Sequence, residues 1–169
     1  MDILLERKSV RQYKPEDVKE EDLNYILRAA MSAPTAANHR TWQFIVVKDK
    51  TMHKKISEIH PYAQFILNAP LAIIVVGDEE AALGGIGGYF PQDCAAATEN
   101  ILLASFAKGY GAVWCGIYSD IQRQKDFEKL FNLPKNITAF SLVVIGKSAD
   151  NNPPKDGWDP SKIKYETWK

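Results

Sequence analysis

Arg7-Lys8-Ser9-Val10-Arg11 and, later in the chain, Ala33-Pro34-Thr35-Ala36-Ala37-Asn38 are the two stretches from which the fold and site of this protein can be read. The first puts three cations and a hydroxyl within five residues, a composition suited to a phosphate group held by charge-assisted hydrogen bonds. The second places a proline, small residues and an amide on a helix-ending turn. There the Asn38 side chain, donor and acceptor at once, suits the mixed polar edge of a flat ring. Each also has a plainer reading: Arg7, Lys8 and Arg11 as a solvated helix face, Asn38 as an amide that stabilises its own turn.

Working outward, Asp2 caps a short first helix predicted to end near Ser9, and Val10 to Lys14 is extended because Pro15 disfavours helix before it. From Glu20, Leu23, Ile26, Leu27, Ala30 and Met31 recur at helical spacing until Pro34, leaving Thr35 to Asn38 on a loop. Trp42 to Val47 reads as a strand, Met52 to Ile59 as a helix, and Leu71 to Gly77 as a strand covered on both faces. Pro91 opens a helix in which Gln92 to Phe106 carries Asp93 and Glu99 as its only charges, the pattern of a central, nearly enclosed helix. Ala112 to Ile117 is a strand, Ile121 to Phe131 a helix and Thr138 to Ile145 a last strand. The predicted class is α+β, with helices around a small sheet in a three-layer arrangement.

Bulk properties narrow the function. The chain of 169 residues fits one domain spanning 1–169, large enough to bury a core without staples. Its 21 basic and 21 acidic side chains cancel, so no broad positive field recruits nucleic acid. Cys94 and Cys115 form no Cys-x-x-Cys pair, and His39, His53 and His60 are too irregularly spaced for a metal site. Met1 to Arg7 lacks the apolar run of a secretion signal, and Leu71 to Val76 is too short to span a bilayer, so a cytoplasmic protein with no membrane partner is expected. The last residues, 149–169, begin like a linker at Asp150 to Gly157. They continue with Trp158, Ile163, Tyr165 and Trp168, rings that need burial on the body or on a second subunit.

Two glycine-rich segments invite a nucleotide reading and fail it. Gly109-Tyr110-Gly111-Ala112-Val113-Trp114-Cys115-Gly116 precedes a strand instead of linking strand to helix, so it is no dinucleotide fingerprint. Gly84-Gly85-Ile86-Gly87-Gly88 lacks the Gly-Lys-Ser/Thr ending of a phosphate loop and reads as a flap or turn.

In their order along the chain, the opening cluster, the Pro34 turn, the Gln92 to Phe106 helix, the Gly-x-Gly-x-x-Trp-x-Gly segment, the Leu133-Pro134 and Ile145-Gly146 landmarks and the Trp-ending tail resemble the nitroreductase family. Members open with Arg-Arg/Lys-Ser-x-Arg and continue with Ala-Pro-Ser-x-x-Asn. The resemblance implies a three-layer fold around a small, mostly antiparallel sheet, in an intertwined homodimer with an exchanged C-terminal arm. It implies FMN as cofactor, NAD(P)H as electron donor and a small-molecule acceptor, nitroaromatic or quinone, served in a ping-pong cycle in which the flavin, not a catalytic side chain, performs the chemistry.

Carried over by position, Arg7, Lys8, Ser9 and Arg11 line the phosphate and polar ring edge. Pro34, Thr35, Ala36 and Asn38 meet the ring, contributed across the subunit interface, and Trp114, Cys115 and Gly116 bring backbone amides to it. Lys162 and Lys164 resemble the family's late basic pair, or are surface lysines. The chain departs from the family at Asn38-His39-Arg40-Thr41-Trp42, where many members have Asn-x-Gln-Pro-Trp. Two rivals stand beside this: a flavin enzyme of the same fold running dehalogenation or another oxidation, and a non-catalytic dimeric module for a phosphorylated ligand.

Overall fold

A computed structural model describes residues 2–168. Four strands form one sheet, β1 (Trp42–Val47), β2 (Leu71–Asp78), β3 (Gly111–Gly116) and β4 (Ile137–Gly146), in the order β1-β2-β4-β3, antiparallel at every pairing. The helices are α1 (Ile3–Glu6), α2 (Glu20–Met31), α3 (Lys50–Ile59), α4 (Phe90–Ala107) and α5 (Ile121–Phe131), with single 3-10 turns at Ala36–Asn38, Gln64–Asn68 and Pro160–Lys162.

Strand alternation builds the three layers. Ile73, Val75, Val143 and Ile145 face α2 and α4, joining Leu23, Ile26, Cys94, Ala97 and Ile101 in one core. Their neighbours Ala72, Ile74, Leu142 and Val144 face the other way, against Ile56, Ile66 and Phe127. The central strands β2 and β4 are therefore buried along almost their whole length, as the uninterrupted apolar run of β2 predicts. α4 is the enclosed central helix. Its buried hydroxyls are satisfied within the core, Thr98 Oγ1 donating to Cys94 O at 2.7 Å and Ser105 Oγ to Ile101 O at 2.7 Å.

The N-terminal segment departs from its predicted course. α1 is capped by Asp2 as expected but stops at Glu6, because the chain beyond is drawn into extended pairing along β3. Ser9 bridges Ala112 in parallel, and Val10 N donates to Ala112 O at 3.0 Å. Gly111 permits this approach, since a Cβ there would stand 2.7 Å from the Val10 side chain. Farther on, Tyr13 bridges Ser148, and Ala149 N donates to Gln12 O at 2.9 Å. The segment thus runs between the edge of β3 and the root of the C-terminal tail.

Beyond Lys155 the tail is largely exposed. Trp158, Tyr165 and Trp168 are 74, 76 and 87 % exposed, so these rings do not pack on the body of their own chain.

Candidate functional site

Extended geometry, not a helix face, aligns the cationic cluster. With the chain extended at Ser9, alternate residues share a side: Val10 enters the core at 3 % exposure while Ser9 and Arg11 face outward. Arg7, Lys8, Ser9 and Arg11 line a cleft of about 690 Å³ together with Asp150, Asn152, Pro153, Pro154 and Lys155. Four cations against one carboxylate leave the cleft positive. Lys8 is tied to the tail root, Nζ donating to Asp150 O at 3.3 Å and to Asn152 O, with the Asp150 carboxylate at 3.6 Å. The Asn152 amide, and after it Lys8, hold the Asp150 carboxyl below its ordinary range. Arg7 Nε lies 3.4 Å from Glu99 Oε1 on α4. Arg11 has no hydrogen-bonding or ionic partner among the described residues, which leaves its guanidinium free for a ligand.

Arg11 also lines a second cleft of about 490 Å³, with His60, Tyr62, Val113, Trp114, Cys115, Gly116 and Arg123. The Arg7 to Arg11 cluster and the Trp114 to Gly116 strand end therefore meet at one side chain, Arg11. Gly116 is exposed at the end of β3, and a Cβ there would meet nothing within 4 Å, so the backbone stands open. Because Ala112 O points outward to Val10, strand alternation also turns the N–H groups of Trp114 and Gly116 toward the open edge. Cys115 is buried, and burial pushes its thiol up to about 11, which fits a packing residue and not a nucleophile.

Three side chains of this region escaped the sequence reading. His60 Nε2 lies 3.1 Å from Gly116 O, and Arg123 Nη1 donates to the same oxygen at 3.0 Å while Nη2 meets Asp120 Oδ2 at 2.9 Å. Lys155, hidden in the linker-like Pro153-Pro154-Lys155-Asp156-Gly157, enters the positive cleft. Lys162 and Lys164 do not: they sit on the exposed tail, Lys162 beside Asp159 at 3.7 Å and Lys164 donating to Ser161 O at 2.7 Å.

The Pro34 loop is built elsewhere. Thr35 Oγ1 accepts from Arg40 N at 3.0 Å, and Asn38 Oδ1 from Arg40 Nε at 3.1 Å. Ala37, Asn38 and Arg40 all have left-handed backbone, with φ of 48, 59 and 53°. Asp93, buried at the start of α4, holds both ends of the turn: Oδ1 accepts from Ala36 N at 2.8 Å and Oδ2 from Thr41 Oγ1 at 2.9 Å. This loop feeds β1, the edge of the sheet opposite β3, three strand spacings or about 14 Å away. Within one subunit, then, Pro34, Thr35, Ala36 and Asn38 do not join the clefts around Arg11.

What the clefts offer suits FMN in two respects. A surplus of fixed positive charge matches a phosphate dianion, and the open backbone at Gly116, with outward N–H groups, matches the polar edge of a planar ring. Among the described residues there is no cluster of metal-binding side chains and no helix long and apolar enough to cross a membrane.

Comparison with known proteins agrees with the geometry. The sequence profile of the nitroreductase family matches residues 4–80 and 60–147. A protein of Methanothermobacter thermautotrophicus that carries the provisional name NADH dehydrogenase/NAD(P)H nitroreductase is 42% identical over 96% of this chain and 84% of its own length. Among solved structures, a Clostridium acetobutylicum protein provisionally named NADH oxidase superposes with a TM-score of 0.93 at 39% identity, covering 99% of this chain and 100% of the other. An FMN-dependent nitroreductase from Clostridium difficile superposes at 0.90 with 27% identity, covering 98% of each chain.

Proposed function

The chain belongs to the nitroreductase family, and on that premise we propose that it is an FMN-dependent oxidoreductase drawing electrons from NAD(P)H. The single observation that carries the assignment is the position of Arg11, shared by the positive cleft and by the open strand end at Gly116. When bound, FMN supplies the redox chemistry, accepting a hydride from NAD(P)H and reducing a nitroaromatic, quinone or similar acceptor in a ping-pong cycle.

The chain's own residues bind and orient. Arg7, Ser9 and Arg11 present donors to the phosphate from one outward face, and Lys155 adds a further cation. Lys8, neutralised by Asp150, fixes the tail root as much as it contributes charge. Arg11, the unpaired cation between the two clefts, stabilises negative charge that develops on the ring. The N–H groups of Trp114 and Gly116 orient its polar edge.

The site is completed by a second copy of the chain. The Pro34 to Asn38 loop stands at the far edge of the sheet, and the tail projects with its rings uncovered. A homodimer that exchanges the arm beyond Lys155 would place the loop of one subunit against the clefts of the other and bury the rings. The non-catalytic module is set aside, since the relatives that match along nearly the whole chain are oxidoreductases by name.

The test is direct. Purified protein should be yellow or take up added FMN stoichiometrically, and should bleach anaerobically on addition of NADH or NADPH. A colourless dimer that binds no FMN in a fluorescence titration would refute the proposal, and a stopped-flow screen of acceptors against the reduced protein would define the acceptor class.

A further inference from the structure

A glycine at an exposed strand end has no side chain to hold its dihedral angles, yet Gly116 is the point where this backbone must present a fixed edge. The structure holds it by its carbonyl. Two donors from different elements converge on Gly116 O, His60 from the end of α3 at 3.1 Å and Arg123 from the first turn of α5 at 3.0 Å, which accounts for both lone pairs of the oxygen.

Neither donor is free to drift. His60 is 2 % exposed, with its ring edge-on to Phe127 at 6.2 Å, and its Nδ1 is buried without a partner. A carbonyl only accepts, so Nε2 carries the proton and the buried Nδ1 is the bare nitrogen of a neutral ring. Arg123 is locked by Asp120 at 2.9 Å, lies under the Tyr62 ring with its carbon 5.9 Å from the centroid, and also buries an unpartnered nitrogen, Nε. Two buried polar atoms left without partners are a cost, and a gripped Gly116 is what the arrangement gains.

We propose that His60 and Arg123 are positioning residues for the flavin ring, acting as a two-donor clamp that fixes the Gly116 backbone so that its outward N–H is preorganised at the cleft. The inference rests on the FMN assignment but adds residues that lie outside the Arg7 to Arg11 cluster, the Pro34 to Asn38 turn and the Gly109 to Gly116 segment. Its mechanism is rigidity: the strand end is held before the ligand arrives, so no ordering cost is charged to binding.

The experiment pairs substitutions that differ in donor reach. His60→Gln keeps an amide N–H able to extend to Gly116 O; His60→Asn draws it back by one methylene. For the second arm, Arg123→Lys keeps charge with one flexible donor and Arg123→Leu removes both. Two readouts are taken: FMN affinity of the apoprotein by flavin fluorescence, and amide hydrogen exchange of the Trp114 to Tyr118 segment without flavin.

The expected result is near-native affinity for His60→Gln, affinity weakened about tenfold for His60→Asn and Arg123→Leu, the loss of roughly one hydrogen bond, and an intermediate value for Arg123→Lys. Faster exchange at 114–118, with unchanged exchange in β1, should accompany each loss. Native affinity and native exchange in His60→Asn, or equal losses in the Gln and Asn variants, would overturn the clamp. A wild-type protein that takes up no FMN would instead overturn the functional assignment, and the exchange measurement would still decide the clamp.

Discussion

Replacing Asp93 by alanine should loosen the Pro34 to Asn38 loop from a distance. The carboxylate is 2 % exposed and accepts two hydrogen bonds from the loop, 2.8 Å to Ala36 N and 2.9 Å to Thr41 Oγ1. Alanine leaves both donors unsatisfied, at about 1–3 kcal/mol each. Thr41 is buried, so solvent cannot replace its partner, and a combined loss of about 3 kcal/mol is the central expectation. For a chain of this size that corresponds to a fall in Tm of roughly 6–12 °C. Asp93→Asn keeps an acceptor for Ala36 N and can donate to a turned Thr41 hydroxyl, so it should cost only about 1 kcal/mol. Thermal melts of the flavin-free protein give the stability term, and a flavin titration shows whether the loosened loop also weakens FMN binding in the dimer. If Asp93→Ala melts within about 2 °C of wild type, the carboxylate is not what holds the loop, and the left-handed residues Ala37, Asn38 and Arg40 must be held by other means.

Other consequences can be checked in parallel. Arg11→Ala should weaken FMN binding about ten- to a hundredfold with little change in Tm, because the side chain is exposed and unpaired in the subunit; native affinity in a titration would remove Arg11 from the site. Burial lowers the pKa of both His53 and His60 from the ordinary 6.5, so the folded protein favours their neutral forms. The unfolded chain then binds more protons below about pH 6.5, and stability, fully present above that value, should fall as pH drops through the folded-state values; urea denaturation midpoints that stay flat from pH 7 to 5 would contradict this. A chain ending at Lys155 keeps the positive cleft but loses Trp158, Tyr165 and Trp168, and should sediment as a monomer; a truncated chain that remains dimeric would show that the arm is dispensable for assembly.

The elements that could be read from sequence are those whose limits are set locally. α5 has the predicted bounds, Ile121–Phe131, because Asp120 caps it through Arg123 N at 3.0 Å and Asn132 ends it in the left-handed region at φ 51°. β1 likewise runs from Trp42 to Val47 as predicted. α1 ends at Glu6 because Val10 pairs with Ala112, a partner about a hundred residues away that no local pattern encodes. Lys155 was missed for a related reason. It lies in a stretch with the composition of a linker, and only the pairing of Ser148 and Ala149 with the N-terminal segment carries it past the cations. The two-donor grip on Gly116 was equally out of reach, since an exposed glycine signals that a backbone is open but not which side chains hold it.

One clue to the construction of the site was in the sequence without its meaning being evident. Between Gln92 and Phe106 the central helix carries two charges in an otherwise uncharged surface, and an enclosed helix retains a carboxylate only where a partner offsets its desolvation. Asp93, buried, meets that condition by tying down the loop that enters β1, while Glu99, half-exposed, pairs with Arg7 beside β3. Six residues of helix separate them, about 9 Å of rise, and the intervening turns carry them to different sides of α4. The same rigid element therefore sets the position of both halves of the divided site, at opposite edges of the sheet. In the proposed homodimer each half would meet the complementary half of the other subunit, so any shift of α4 against the sheet would displace both at once. Substitutions that repack α4 beneath Ile73 and Val143, far from either cleft, should then alter FMN affinity and dimer stability together, whereas changes confined to Arg11 should alter affinity alone.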